Sequence, residues 1–107
     1  MTVTVTYTQD AEFDSLVADG GLVMVDCTAT WCGPCRKISP LMDQLSEEYE
    51  GRAKVVKLDV DENKATAKKL GIRSIPAVFI FKDGNLVETI VGVSPYEKFR
   101  DAIEQHL

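Results

Sequence analysis

"GLVMVDCTATWCGPCRK", residues Gly21 to Lys37, joins an apolar run broken by one carboxylate to two thiols three positions apart. A continuous run such as Leu22 to Val25 is expected of a central strand covered on both faces. Asp26 interrupts it, and Gly33 and Pro34 separate Cys32 from Cys35. A structural staple, a metal clip and a switchable redox pair each use two such thiols, so the surroundings must decide. A bridge across three positions closes too short a loop to constrain the unfolded chain much, and a disulfide scaffold would distribute its pairs along the chain. All three cysteines, Cys27, Cys32 and Cys35, fall within nine residues. The staple reading is poor.

On either side of this stretch the elements alternate. "TVTVTY", Thr2 to Tyr7, has the period of a strand, and Phe13, Leu16 and Val17 form a helical stripe stopped by Gly20. After the thiols, Ile38, Leu41, Met42, Leu45 and Tyr49 recur at helical spacing, with Pro40 inside the helix, where it deletes one backbone hydrogen bond. "AKVVKLDV", Ala53 to Val60, reads as a strand with Val56, Leu58 and Val60 on one face, followed by a short helix closed by Gly71. "AVFIF" and "LVETIV" flank Asp83-Gly84, the signature of a hairpin. The last helix opens with Ser94, Pro95 and Glu97, which reads as a capping box with proline at the first helical position. Phe99, Ala102 and Ile103 are its buried stripe. The order β-α-β-α-β-α-β-β-α implies an α/β fold with a central mixed sheet of about five strands and four helices on its two faces. The 107 residues are the size of one domain, expected to span 1–107.

Bulk properties exclude several functions. The formal net charge of -5 argues against nucleic acid, whose phosphates reward clustered Lys and Arg. No apolar run approaches a membrane span, and the first ten residues lack the basic-then-apolar layout of a secretory signal. The chain therefore reads as a cytoplasmic protein that contacts neither membrane nor nucleic acid.

Reactive groups in such a sheet collect beyond the carboxyl ends of parallel strands, and the two thiols lie there. With Pro34 in the first helical turn, Cys32 sits at a helix N-terminus whose unpaired N–H groups point toward its sulfur. That dipole favours an anion by about 0.3–1 kcal/mol, less than one pKa unit. Hydrogen bonds from the Cys35 thiol and local N–H groups must supply the rest. Cys35, one turn deeper, is shielded, which makes Cys32 the attacking thiol and Cys35 the resolving one in thiol–disulfide exchange. The uncharged Gly33-Pro34 pair gives the thiolate no strong support, so the dithiol should donate electrons. Asp26 is either a buried carboxyl with local hydrogen bonds or a general base for Cys35 with a raised pKa. Lys57, on the neighbouring strand, is either a solvated lysine or the partner of Asp26.

"WCGPC" from Trp31 to Cys35, "GIRSIP" from Gly71 to Pro76 and "KDGNLVETIVG" from Lys82 to Gly92 together resemble the thioredoxin family, from the first helix to Leu107. The resemblance implies the thioredoxin fold and a general protein-disulfide reductase without cofactor or metal. It implies a redox disulfide between Cys32 and Cys35, with Asp26 as buried acid–base. It also implies a cis peptide bond at Ile75-Pro76, freeing the Ile75 backbone to pair with an extended substrate segment. Trp31, Gly33, Pro34, Ile75, Pro76 and Gly92 would form a flat, uncharged docking surface. The implied partners are a thioredoxin reductase and client proteins with reducible disulfides, met by a monomer. Where many thioredoxins carry an aromatic and a tryptophan after the buried Asp, this chain has Cys27 and Thr28. Cys27 reads as a small buried hydrophobe, or as the start of an iron–sulfur spacing with Cys32 and Cys35. The latter lacks a fourth cysteine, and His106 at the far end is a poor substitute. A redox-independent binding module and a metal-binding variant are the competing readings.

Overall fold

The run from Leu22 to Thr28 lies in the middle of a five-stranded sheet, with two strands on each side. The computed structural model describes residues 5–107. Its elements are β1 (Thr6–Tyr7), α1 (Asp10–Ala18), β2 (Leu22–Thr28), α2 (Gly33–Glu48), β3 (Ala53–Asp59), α3 (Lys64–Leu70), β4 (Ala77–Lys82), β5 (Asn85–Val91) and α4 (Tyr96–His106). The sheet order is β1-β3-β2-β4-β5. The first three of these run parallel, whereas β4 and β5 are antiparallel to their neighbours. This is the mixed α/β sheet expected. The strand expected over Thr2 to Tyr7 is present at Thr6–Tyr7, and its earlier part lies outside the described residues.

Two cores follow from the alternation of side chains along each strand. Leu22, Met24, Val55, Val78 and Ile80 face α2 and α4, packing on Ile38, Met42, Leu45, Phe99 and Ile103. Val23, Val25, Cys27, Val56, Leu58 and Phe79 face the other way, against Phe13 and Val17 of α1 and Leu70 of α3. By the same alternation Asp26 and Lys57, direct register partners on β2 and β3, both point toward α2. Asp10 ties α1 to α3, its carboxylate accepting the Thr66 N–H at 2.9 Å. The hairpin turns at Asp83 (φ 50°) and Gly84 (φ 86°), the left-handed pair that a two-residue turn requires.

Helix α2 runs through Pro40 to Glu48. The capping box at the last helix is not formed. Pro95, extended at φ -71° and ψ 158°, is itself the N-cap, so α4 starts one residue later, at Tyr96. Glu97 is then one position short of the place from which it could reach back, and Ser94 lies outside the helix. Glu97 still puts a negative charge in the first turn, where the helix dipole favours it. Among the described residues no helix is long and apolar enough to cross a membrane.

Candidate redox site

β2 ends at Thr28, and the chain turns through Ala29, Thr30 and Trp31 into α2. Cys32 is the N-cap of that helix, and its sulfur accepts the Cys35 N–H at 3.2 Å. Pro34 occupies the first turn, where its missing N–H leaves no helical acceptor unfilled. One helical turn brings the two cysteines to a Cα–Cα separation of 5.3 Å, and their sulfurs are joined. In this oxidised state both are covered, Cys32 to 3% exposure, within a small apolar cluster with Ala29 against which Val60 and Ile75 pack. Arg36 and Lys37 are exposed, and the Arg36 guanidinium donates to the Thr30 carbonyl at 2.9 Å.

Around the sulfurs the surface is apolar. Trp31 is 67% exposed, and its indole Nε1–H donates to Asp61 Oδ2 at 2.7 Å. Gly33 and Pro34 are exposed, Ile75 is half-buried, and Pro76 is buried behind it, joined by a cis bond. The Gly92 N–H donates to the Pro76 carbonyl at 2.8 Å, which brings the end of β5 beside the Ile75-Pro76 loop. Trp31, Val60, Ala67, Ile72 and Ile75, with Arg73 at the edge, line a depression of about 340 Å³ next to the disulfide. Asp61, Val60 and Ile72 carry no signal in the sequence that marks them as site residues, although "GIRSIP" contains Ile72 and Arg73. A larger depression, about 430 Å³, is lined by Leu22, Arg52 and Lys54 at the opposite end of the parallel strands and holds no thiol.

A second opening, about 190 Å³, reaches Cys35 from the side and is lined by Thr28, Thr30, Ser39, Tyr7 and Asp59. Thr28 is one of its walls, and Asp26, two residues earlier on β2, is only 1% exposed. Burial pushes the Asp26 carboxyl up from 3.8 to about 7; Lys57 opposes that rise and Asp43 adds to it. Asp26 Oδ1 has no hydrogen-bond partner among the described residues. Lys57 departs from the solvated reading, while its charge acts on Asp26 without a direct bond to it. It is not solvated, at 7% exposure, and its ammonium bonds elsewhere than Asp26. It donates to Ser39 Oγ at 2.6 Å and to Asp43 Oδ1 at 3.3 Å, both on α2. Cys27 faces the α1–α3 side, the opposite side of the sheet from Asp26, and burial raises its thiol pKa. It is a small buried apolar side chain there.

Residues 4–105 match the Thioredoxin family model. The chain is 48% identical over 98 residues to the thioredoxin of Staphylococcus aureus strain Mu50, covering 92% of this chain and 93% of that one. Among solved structures it resembles a point mutant of the thioredoxin from Halobacterium salinarum NRC-1, with a TM-score of 0.85 at 36% identity, covering 95% of this chain and 88% of that one. A helix-capping cysteine bonded to a second one a turn deeper, on the central strand's exit from a five-stranded mixed sheet, agrees with these likenesses. The chain belongs to the thioredoxin family and is a protein-disulfide oxidoreductase.

Proposed function

We propose that the chain is a general protein-disulfide reductase, acting as a monomeric single domain in the cytoplasm and recharged by a thioredoxin reductase. In the dithiol form the Cys32 thiolate attacks one sulfur of a client disulfide, forming a mixed disulfide and releasing the other client sulfur as a thiolate. Cys35 then loses its proton to Asp26 and attacks Cys32 Sγ. The Cys32–client bond breaks, the second client thiolate leaves, and the Cys32–Cys35 disulfide forms. Two electrons pass to the client, whose thiolates take up two protons. The reductase returns two electrons and two protons to the pair.

The observation that carries this reading is a bonded sulfur pair at a helix N-terminus with a buried carboxyl on β2, Asp26, whose Oδ1 has no hydrogen-bond partner among the described residues. A carboxyl titrating near 7 accepts a proton at neutral pH and gives it up again, as a general base at that pH must. The apolar surface of Trp31, Gly33, Pro34, Ile75 and Gly92 suits an extended client segment. Among the described residues the Ile75 backbone makes no backbone hydrogen bond, leaving it open to such a segment. The test is turnover of a model protein disulfide with a reductase and two variants. Cys32→Ser should abolish reduction, and Cys35→Ser should accumulate a covalent complex seen by mass under non-reducing conditions. Full activity in both variants refutes the reading.

A further inference from the structure

We propose that Ser39, helped by Asp43, is a positioning residue that holds the Lys57 ammonium away from Asp26 and leaves that buried carboxyl unpaired. This rests on the reading of Asp26 as the acid–base group. The strand register sets Asp26 and Lys57 side by side on the same face of the sheet. A lysine so placed beside a buried carboxylate would ordinarily close a salt bridge, because an unpaired buried charge is expensive. Here its ammonium is taken by two groups of α2 instead, the nearer being Ser39 Oγ at 2.6 Å.

The helix makes this arrangement possible. Cys35, Ser39 and Asp43 are each four residues apart, so they form one column along α2. The same face that carries the resolving thiol therefore carries the two acceptors that hold the lysine. The charged groups acting on Asp26 are Lys57 from β3 and Asp43 from α2, while β4 presents apolar Val78 at the register position. The location of a single ammonium therefore decides how well the Asp26 carboxylate is stabilised. Ser39 also lines the opening to Cys35, so the residue that holds the lysine stands beside the resolving thiol.

The experiment follows the Asp26 carboxyl by ¹³C NMR through a pH titration. Wild type, Ser39→Ala, Asp43→Asn and Ser39→Thr are compared, each also in a Lys57→Met background. Freed from Ser39, the ammonium moves toward Asp26 and lowers its titration midpoint by about one unit. Asp43→Asn should lower it as well, and Ser39→Thr, which keeps the hydroxyl, should restore the wild-type midpoint. In the Lys57→Met background Ser39→Ala should no longer shift Asp26. A wild-type midpoint in Ser39→Ala overturns the proposal, as does a shift that survives removal of the lysine. The pH dependence of mixed-disulfide resolution is read in parallel. A carboxyl shift without a matching shift in that profile supports the positioning role of Ser39 and sinks the acid–base role of Asp26.

Discussion

Replacing Asp26 by Asn should make the oxidised protein more stable at neutral pH, and the gain should depend on pH in a defined way. A carboxyl with a folded pKa of about 7 and an unfolded one of 3.8 binds its proton more tightly in the native state. Below pH 4 both states hold the proton, and the group contributes no slope. Between 4 and 7 the unfolded chain ionises while the native one does not, so stability falls as pH rises. Above 7 both states are ionised and the slope vanishes. The gap is roughly three units at about 1.36 kcal/mol each, which costs the native state about 4 kcal/mol by pH 8. Asparagine is nearly isosteric and does not titrate. The stability difference between Asp26→Asn and wild type should therefore grow by about 4 kcal/mol from pH 4 to pH 8, about 1 M in guanidinium midpoint. The assay is guanidinium unfolding of both proteins across that range. The remaining acidic side chains titrate alike in both and cancel in the difference. A flat difference, or an Asn variant less stable at pH 8, would show Asp26 to be a paired, charged carboxylate and refute the reasoning.

Two tyrosines on the α2–α4 side should respond oppositely to loss of their hydroxyls. Tyr49 donates to Glu104 Oε2 at 2.5 Å, so Tyr49→Phe should cost about 2 kcal/mol in thermal unfolding. Tyr96 Oη is buried without a partner among the described residues, so Tyr96→Phe should be neutral or stabilise by up to about 1 kcal/mol. Losses of equal size would contradict that contrast. Asp61→Ala should free the exposed Trp31 ring and raise KM for a protein disulfide about fivefold, the effect of one lost hydrogen bond, with kcat unchanged. A fall in kcat at constant KM would show that Asp61 acts on the thiols rather than on docking.

Much of this fold is legible because its signals are local. Leu22 to Val25 is apolar without alternation because β2 is covered on both faces, and Asp83-Gly84 turns because both residues need positive φ. Asp26 stands out for the same reason, as a lone carboxylate where only apolar side chains are expected. Legibility ends where the determinant is the position of a helix over the sheet. The Lys57 partners lie 18 and 14 residues away in the chain, and they reach it only because α2 crosses β3 at that height. The Trp31–Asp61 bond likewise joins loops 30 residues apart. The start of α4 departs from its capping-box pattern for a smaller reason, the extended ψ of Pro95, which delays the helix by one residue. The cis bond at Ile75-Pro76 is legible only through the family resemblance, since nothing in the residues themselves distinguishes it from the more common trans form.

The Asp26 carboxyl works against the fold that contains it. A penalty of about 4 kcal/mol is a large share of the roughly 5–15 kcal/mol that typically holds a domain together. A strand built for stability alone would put an apolar residue there, or would let Lys57 close on the carboxylate and recover part of the loss. The chain does neither. Its lysine is drawn off by Ser39 and Asp43, and the burial that destabilises the carboxylate also sets its titration near neutrality. Relieving the stability penalty by pairing the charge would lower that titration as well. A group protonated and deprotonated in alternate half-reactions at neutral pH needs both conditions kept, so the destabilisation and the proposed chemistry have one physical origin.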